Sequence, residues 1–235
     1  TKSWHKLKPV FSNKKQLCCI SLCSVLLSFN WGTYIWGVNS GFVVETSLGY
    51  YINPLMVFFL AVTILKEKCS LWQYIAISLA AVGVLIMTIQ YGRVPWIALV
   101  LAITFALYGL SKKLVDVEAL TGLAVETAVI MPLALAYLIY RQVHGIGAIG
   151  TVSAPVTILL IGTGVVTATP LLCFANGAKK VELSTIGFLQ YIAPTISLFL
   201  GVFVFREEFT TLHFFSFCFI WAALIIYSVS IIGDL

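Results

Sequence analysis

The apolar positions of this chain fall in long unbroken runs, not in the alternation of half-buried strands. Runs long enough to cross roughly 30 Å of hydrocarbon lie at Leu17–Val38, Phe42–Leu65, Leu71–Ile89, Val94–Leu110, Leu120–Tyr140, Pro155–Ala175, Ile186–Phe205 and Leu212–Ile232. They predict eight transmembrane helices, spans A to H, with short connections and no inserted soluble domain. A membrane barrel would show short segments of alternating polarity instead. Composition agrees: the chain is 60% hydrophobic and 10% charged, with a mean hydropathy of +1.03, whereas a soluble domain carries roughly 25% charged residues. The fold class expected is an all-α polytopic membrane protein whose partner is the lipid bilayer.

The charges that remain sort by side. Lys2, Lys6, Lys8, Lys14 and Lys15 precede span A, Lys66 and Lys68 lie between B and C, Lys112 and Lys113 follow D, and Lys179 and Lys180 follow F. Every lysine is therefore on the side of the N-terminal tail, and only Arg93, Arg141 and Arg206 fall on the other. In short loops this bias makes the tail side cytoplasmic, and eight crossings return Asp234 to the same side. The basic excess is thus a topology signal and not a nucleic-acid signal. Trp72 and Tyr74 at one interface, and Tyr91, Trp96 and Tyr140 at the other, suit an aromatic belt. The cysteines at 18, 19, 23, 69, 173 and 218 form no spaced metal motif and read as small core residues, with neither metal nor cofactor implied.

An internal repeat runs through the spans. Tyr51, Ile52, Pro54, Phe59, Leu60, Val62 and Glu67 match Tyr191, Ile192, Pro194, Phe199, Leu200, Val202 and Glu207 at a constant spacing of 140. Val44-Glu45-Thr46-Ser47 matches Val181-Glu182-Leu183-Ser184 at 137. Spans A to C then correspond to F to H. A shift of five spans reverses direction, so the repeat is inverted. The second unit, residues 94–232, has five spans, D to H. The first, residues 17–89 after a basic segment at 1–16, has only the last three. Two more spans are expected before Thr1, making this an N-terminally truncated form of a ten-helix protein. Inverted repeats in an apolar chain point to a secondary transporter.

The wording of the sequence narrows this. Asn30-Trp31, Tyr34-Ile35-Trp36, Ser47-Leu48-Gly49-Tyr50, Ile52-Asn53-Pro54-Leu55, Lys66-Glu67, Tyr108-Gly109-Leu110, Glu126-Thr127 and Gly187-Phe188 through Gln190-Tyr191-Ile192-Ala193-Pro194 resemble the RarD branch, the bacterial chloramphenicol-sensitivity permeases, of the drug/metabolite transporter superfamily with its EamA-like units. The resemblance implies a ten-helix inner-membrane permease. The family name implies drug export, without establishing a physiological substrate.

Polar residues within the spans are the candidate functional groups. Glu126 lies about six residues into span E, roughly 9 Å of helical rise from its cytoplasmic end. An ionised group there should face the bundle interior or a wet cavity. It reads either as a proton-coupling acid or as a structural group locking E to a neighbour. Asn30, Trp31 and Tyr34 suit a cavity that takes an amphipathic small molecule, or Asn30 supplies an interhelical hydrogen bond worth typically ~0.6 kcal/mol. Tyr50, Tyr51 and Asn53 before Pro54, and Gln190 and Tyr191 before Pro194, are related by the repeat and should approach one another near the midplane. Pro54 and Pro194 should kink B and G, as gates or as fixed shape. Glu67 and Glu207 read as interfacial anchors, and Glu45 and Glu182 as partners of their own helix dipoles. Ala76, Ala80 and Gly83 line a close-packing face of C.

No catalytic set is expected. His5, His144 and His213 lie in tails, loops or at a span edge, and no phosphate-binding loop is present. The function expected is secondary active transport of small organic molecules or drugs, coupled to protons. The alternatives are a non-transporting fragment of such a permease and an intramembrane enzyme. The sequence specifies no oligomeric state.

Overall fold

The computed structural model describes residues 12–147, 151–200, 203 and 211–233. Lys2, His5, Lys6, Lys8, Arg206, Glu207 and Asp234 lie outside the described residues. Within them the secondary structure is helical throughout: α1 (Lys14–Asn39), α2 (Val43–Thr63), α3 (Leu71–Tyr91), α4 (Trp96–Leu114), α5 (Ala119–Val143), α6 (Ala154–Lys180), α7 (Leu183–Leu189), α8 (Ile192–Phe199) and α9 (Thr211–Gly233). Seven of these, α1 to α6 and α9, are long and apolar enough to cross a membrane. The chain is a multi-pass membrane protein.

Local chemistry sets the helix ends. Ser70 and Gln73 form a reciprocal capping box at the start of α3: the Gln73 amide donates to Ser70 Oγ at 3.4 Å and the Ser70 amide donates to Gln73 Oε1 at 2.8 Å. Gly92 closes the same helix in the left-handed region at φ +76°, a conformation that strains residues bearing a Cβ.

Two departures from the sequence expectation matter for function. Span G is not one helix. It is broken at Gln190–Tyr191 into α7 and α8, whereas α2 runs uninterrupted through Pro54. Proline removes its own donor and crowds the carbonyl four residues earlier, which for Pro194 belongs to Gln190, where the helix stops. Pro54, four residues after Tyr50, is accommodated inside α2. Secondly, α4 and α6 extend past the apolar runs and take Lys112, Lys113, Lys179 and Lys180 into their last turns. These lysines are helical, not loop residues, and Lys112 is buried.

The described residues form two compact units. One joins residues up to Ser28 with Ser111–Lys180; the other joins Phe29–Leu110 with residues from Val181 on. In the second unit α3 and α9 make the most extensive helix pair. Ala76 and Ala80 are fully buried, and a Cβ on Gly83 would stand 2.7 Å from the Ser216 carbonyl oxygen. The small-residue face of α3 lets the two backbones touch. Around it lie Tyr51, Phe188, Phe217 and Tyr227, with the Phe188 and Tyr227 rings stacked at 3.7 Å. The first unit has a smaller core of Ile20, Val115, Val117 and Val125, and α6 leaves Ile158, Ile161, Val165 and Val166 exposed. Such uncovered aliphatic faces are stable against hydrocarbon, not water. All six cysteines are free thiols; Cys23 is buried as expected of a core residue, but Cys18 and Cys173 are exposed.

Candidate functional site

The second unit places its polar groups where α2 meets α7. Pro54 is fully buried, and Gly187 of α7 lies directly against it: a Cβ there would come within 3.1 Å of the Pro54 carbonyl oxygen and of Val57 Cγ1. This close approach brings Asn53 of α2 to Gln190 at the end of α7. The Asn53 Nδ2 group donates to Gln190 Oε1. Each amide keeps a second function, and these second functions, Asn53 Oδ1 and Gln190 Nε2, are buried with no hydrogen-bond partner among the described residues. Reversing both amides would exchange the roles and still leave one donor and one acceptor over. The Tyr191 hydroxyl, on a side chain with no exposed surface, is also buried without a partner. An unpaired buried polar group costs ~1–3 kcal/mol, so three in consecutive or bonded residues mark a place where stability has been given up.

The other candidates in this unit sort differently. Asn30 spends both amide hydrogens on α4, donating to the Leu101 carbonyl and to Thr104 Oγ1, each at 2.8 Å. These are interhelical bonds, as one of the two sequence readings expected. Trp31 is exposed. Tyr34 pairs edge-on with Tyr50, ring centroids 5.9 Å apart, and Tyr50 is half exposed. Tyr34 therefore meets α2 one turn before the amide pair.

One glutamate of each repeat pair, Glu67 and Glu45, caps a helix other than its own. Glu67, beyond the end of α2, accepts the Leu183 amide at 2.8 Å, the Ser184 amide at 3.0 Å and the Ser184 hydroxyl at 2.8 Å. It serves the start of α7, while Glu182, expected there, makes no capping bond with its side chain. Glu45, buried, accepts the Ile97 amide at the start of α4 at 2.7 Å and the Tyr91 hydroxyl at 2.6 Å, with Arg93 at 3.9 Å. Both carboxylates satisfy orphan helix N–H groups. Beside Glu67, the Cys69 thiol is pushed up, first by burial and then by the Glu67 and Glu182 carboxylates, so it stays protonated and unreactive.

The first unit holds the intramembrane acid. Glu126 of α5 and Lys112 of α4 are buried and form an ion pair. The Ser24 hydroxyl of α1 donates to the Glu126 carbonyl at 2.7 Å. Gly122, one turn before Glu126, leaves room for the ammonium, which would stand 3.8 Å from a Cβ at that position. Lys112 is the partner that sequence reasoning missed. The available signal was the tight α4–α5 hairpin, which sets a lysine at the end of one helix beside an acid just inside the next.

Two stretches, residues 3–89 and 94–229, match the sequence profile of the EamA-like transporter family. The chain belongs to the EamA-like transporter family. Among relatives, it is 48% identical over 97% of its length to the uncharacterized transporter YojE of Bacillus subtilis, covering 75% of that protein. It is 42% identical to Protein RarD of Streptomyces exfoliatus, over 95% of this chain and 71% of the relative. It is 38% identical to Protein RarD of Escherichia coli, over 96% and 76%. Within the EamA-like matches, Asn53 belongs to the first stretch and Gln190 to the second, as do Glu67 and its partners Leu183 and Ser184. Lys112 and Glu126 both lie in the second.

Proposed function

We propose that this protein is a secondary active transporter of small organic molecules in the bacterial inner membrane, with the tail preceding α1 and the C-terminus in the cytoplasm. The observation that carries the reading is the Asn53–Gln190 pair. It links the two family-matched stretches beside two prolines and leaves a donor and an acceptor unspent, as a ligand site at a repeat interface requires. The two matched stretches support an inverted-repeat permease of ten helices in its full form. Asn53, Gln190 and Tyr191 line the substrate path, and the break before Pro194 lets α8 move against α7 while α2 stays whole. Flux of labelled solutes into proteoliposomes, across a panel of compound classes and with or without a pH gradient, tests this. Absence of carrier-dependent flux for the whole panel overturns it.

Coupling to protons runs through Glu126. Coupling would require Lys112 to leave Glu126 and a proton to take its place on the carboxylate. Its pairing with Lys112 favours a second reading, a permanent lock between α4 and α5. Glu126→Gln separates the two: transport that keeps its pH dependence in that variant refutes the coupling role and leaves the lock.

A further inference from the structure

We infer that the Asn53–Gln190 pair recognises an uncharged carboxamide-like group carried on an aromatic ring. This deepens the transport reading and rests on it for the location of the site. The two unspent functions are one acceptor, Asn53 Oδ1, and one donor, Gln190 Nε2, held together by the bond between their own amides. A group offering a donor and an acceptor on one carbon satisfies both at once. A carboxylate, ether or hydrocarbon leaves at least one unmet.

Charge selects in the same direction. Among the described residues of this unit, the only carboxylate or basic side chains within a helix are Glu45 and, in the first turn of α9, His213; the Glu45 oxygens are engaged by Ile97, Tyr91 and Arg93. Glu45 also lies eight residues before Asn53, about 12 Å of helical rise away. Glu67, Lys66, Lys68 and Arg93 sit in the connections beyond the helix ends. Among the described residues of this unit no ion pair or hydrogen bond brings a charged side chain to the amides, so a charged ligand there would keep its desolvation cost. The surroundings are aromatic instead: Tyr51, Phe188, Tyr191 and Phe217 belong to one buried cluster, which suits the edges and faces of a ring. The Tyr191 hydroxyl supplies one further unpaired group on the same chain turn.

Nicotinamide and nicotinate test this, since they share a ring and differ in the group that the amides would read. Equilibrium binding of each, radiolabelled, is measured on the full-length protein in nanodiscs. Nicotinamide is expected to bind saturably and nicotinate at least about tenfold more weakly, the scale of one lost buried hydrogen bond. Gln190→Glu and Asn53→Asp, which keep side-chain size, should abolish the preference while eluting as monodisperse protein, and Ile158→Ala, on the exposed face of α6, should retain it. Equal binding of the two compounds, or a preference that survives both amide variants, overturns the inference. So does absence of binding by either compound in protein that transports other solutes. Saturable, selective nicotinamide binding without flux of any solute would uphold it and overturn the transport reading alone.

Discussion

The amide pair of one unit and the ion pair of the other are both contacts between polar side chains of neighbouring helical segments in an apolar setting. They differ in charge and in the stretches they join. Lys112 and Glu126 set a full charge against its opposite inside a single family-matched stretch. Asn53 and Gln190 join one matched stretch to the other and leave a buried donor and acceptor unused. The two pairs are therefore to be told apart by how their removal shifts stability and transport. A buried donor or acceptor left unused costs stability wherever it lies.

The sharpest way to break that contrast is to unpair the charges. Lys112→Met should destabilise the protein by about 3–5 kcal/mol, because it leaves Glu126 without its counter-charge, and Lys112→Met with Glu126→Leu should recover most of the loss. Thermal unfolding in detergent reads both, and a double variant as poor as the single one would mean that the loss does not come from the unpaired charge. Next in size is Gly187→Val, which drives a branched side chain into the Pro54 carbonyl and Val57. Overpacking of this kind costs about 1–3 kcal/mol, and solute flux should fall with it as the amides separate. Glu67→Ala uncaps α7 and should cost about 1 kcal/mol, visible as faster hydrogen exchange at the Leu183 and Ser184 amides. The smallest effect on stability is expected from removing both amides. Asn53→Leu with Gln190→Leu should change unfolding by less than about 1 kcal/mol, since matched removal leaves nothing newly unpaired, yet it should cut transport severely. A stability loss as large as that of Lys112→Met would make the amide pair structural and erase the contrast.

Particular residues show how far the sequence reads. The spans were legible because hydrocarbon demands long apolar helices, and Glu126 was legible because an acid among them is rare. Lys112 was not, since a lysine at the edge of an apolar run looks like an interfacial anchor until the helix is seen to continue past it. The repeat showed that the Tyr50–Asn53 and Gln190–Tyr191 clusters are related and should approach one another, but not that the Asn53 and Gln190 side chains bond. Pro54 and Pro194 look alike in sequence and act differently, one inside a whole helix and one beside a break. Glu45 and Glu67 were readable as helix-end charges, though which helix each serves was not.

The sequence alone determined that this is a helical membrane protein of a transporter family, where most of its helices run, and which few polar residues enter them. Those properties follow from hydropathy, length and local pattern, which are additive along the chain. Only the tertiary structure decided that Asn30 is spent on α4, that Glu126 has a lysine partner, and that Asn53 and Gln190 hold a donor and an acceptor unused. Hydrogen bonding is pairwise and geometric: whether a polar group is satisfied depends on an atom that can lie 137 residues away and on a glycine small enough to let it come near.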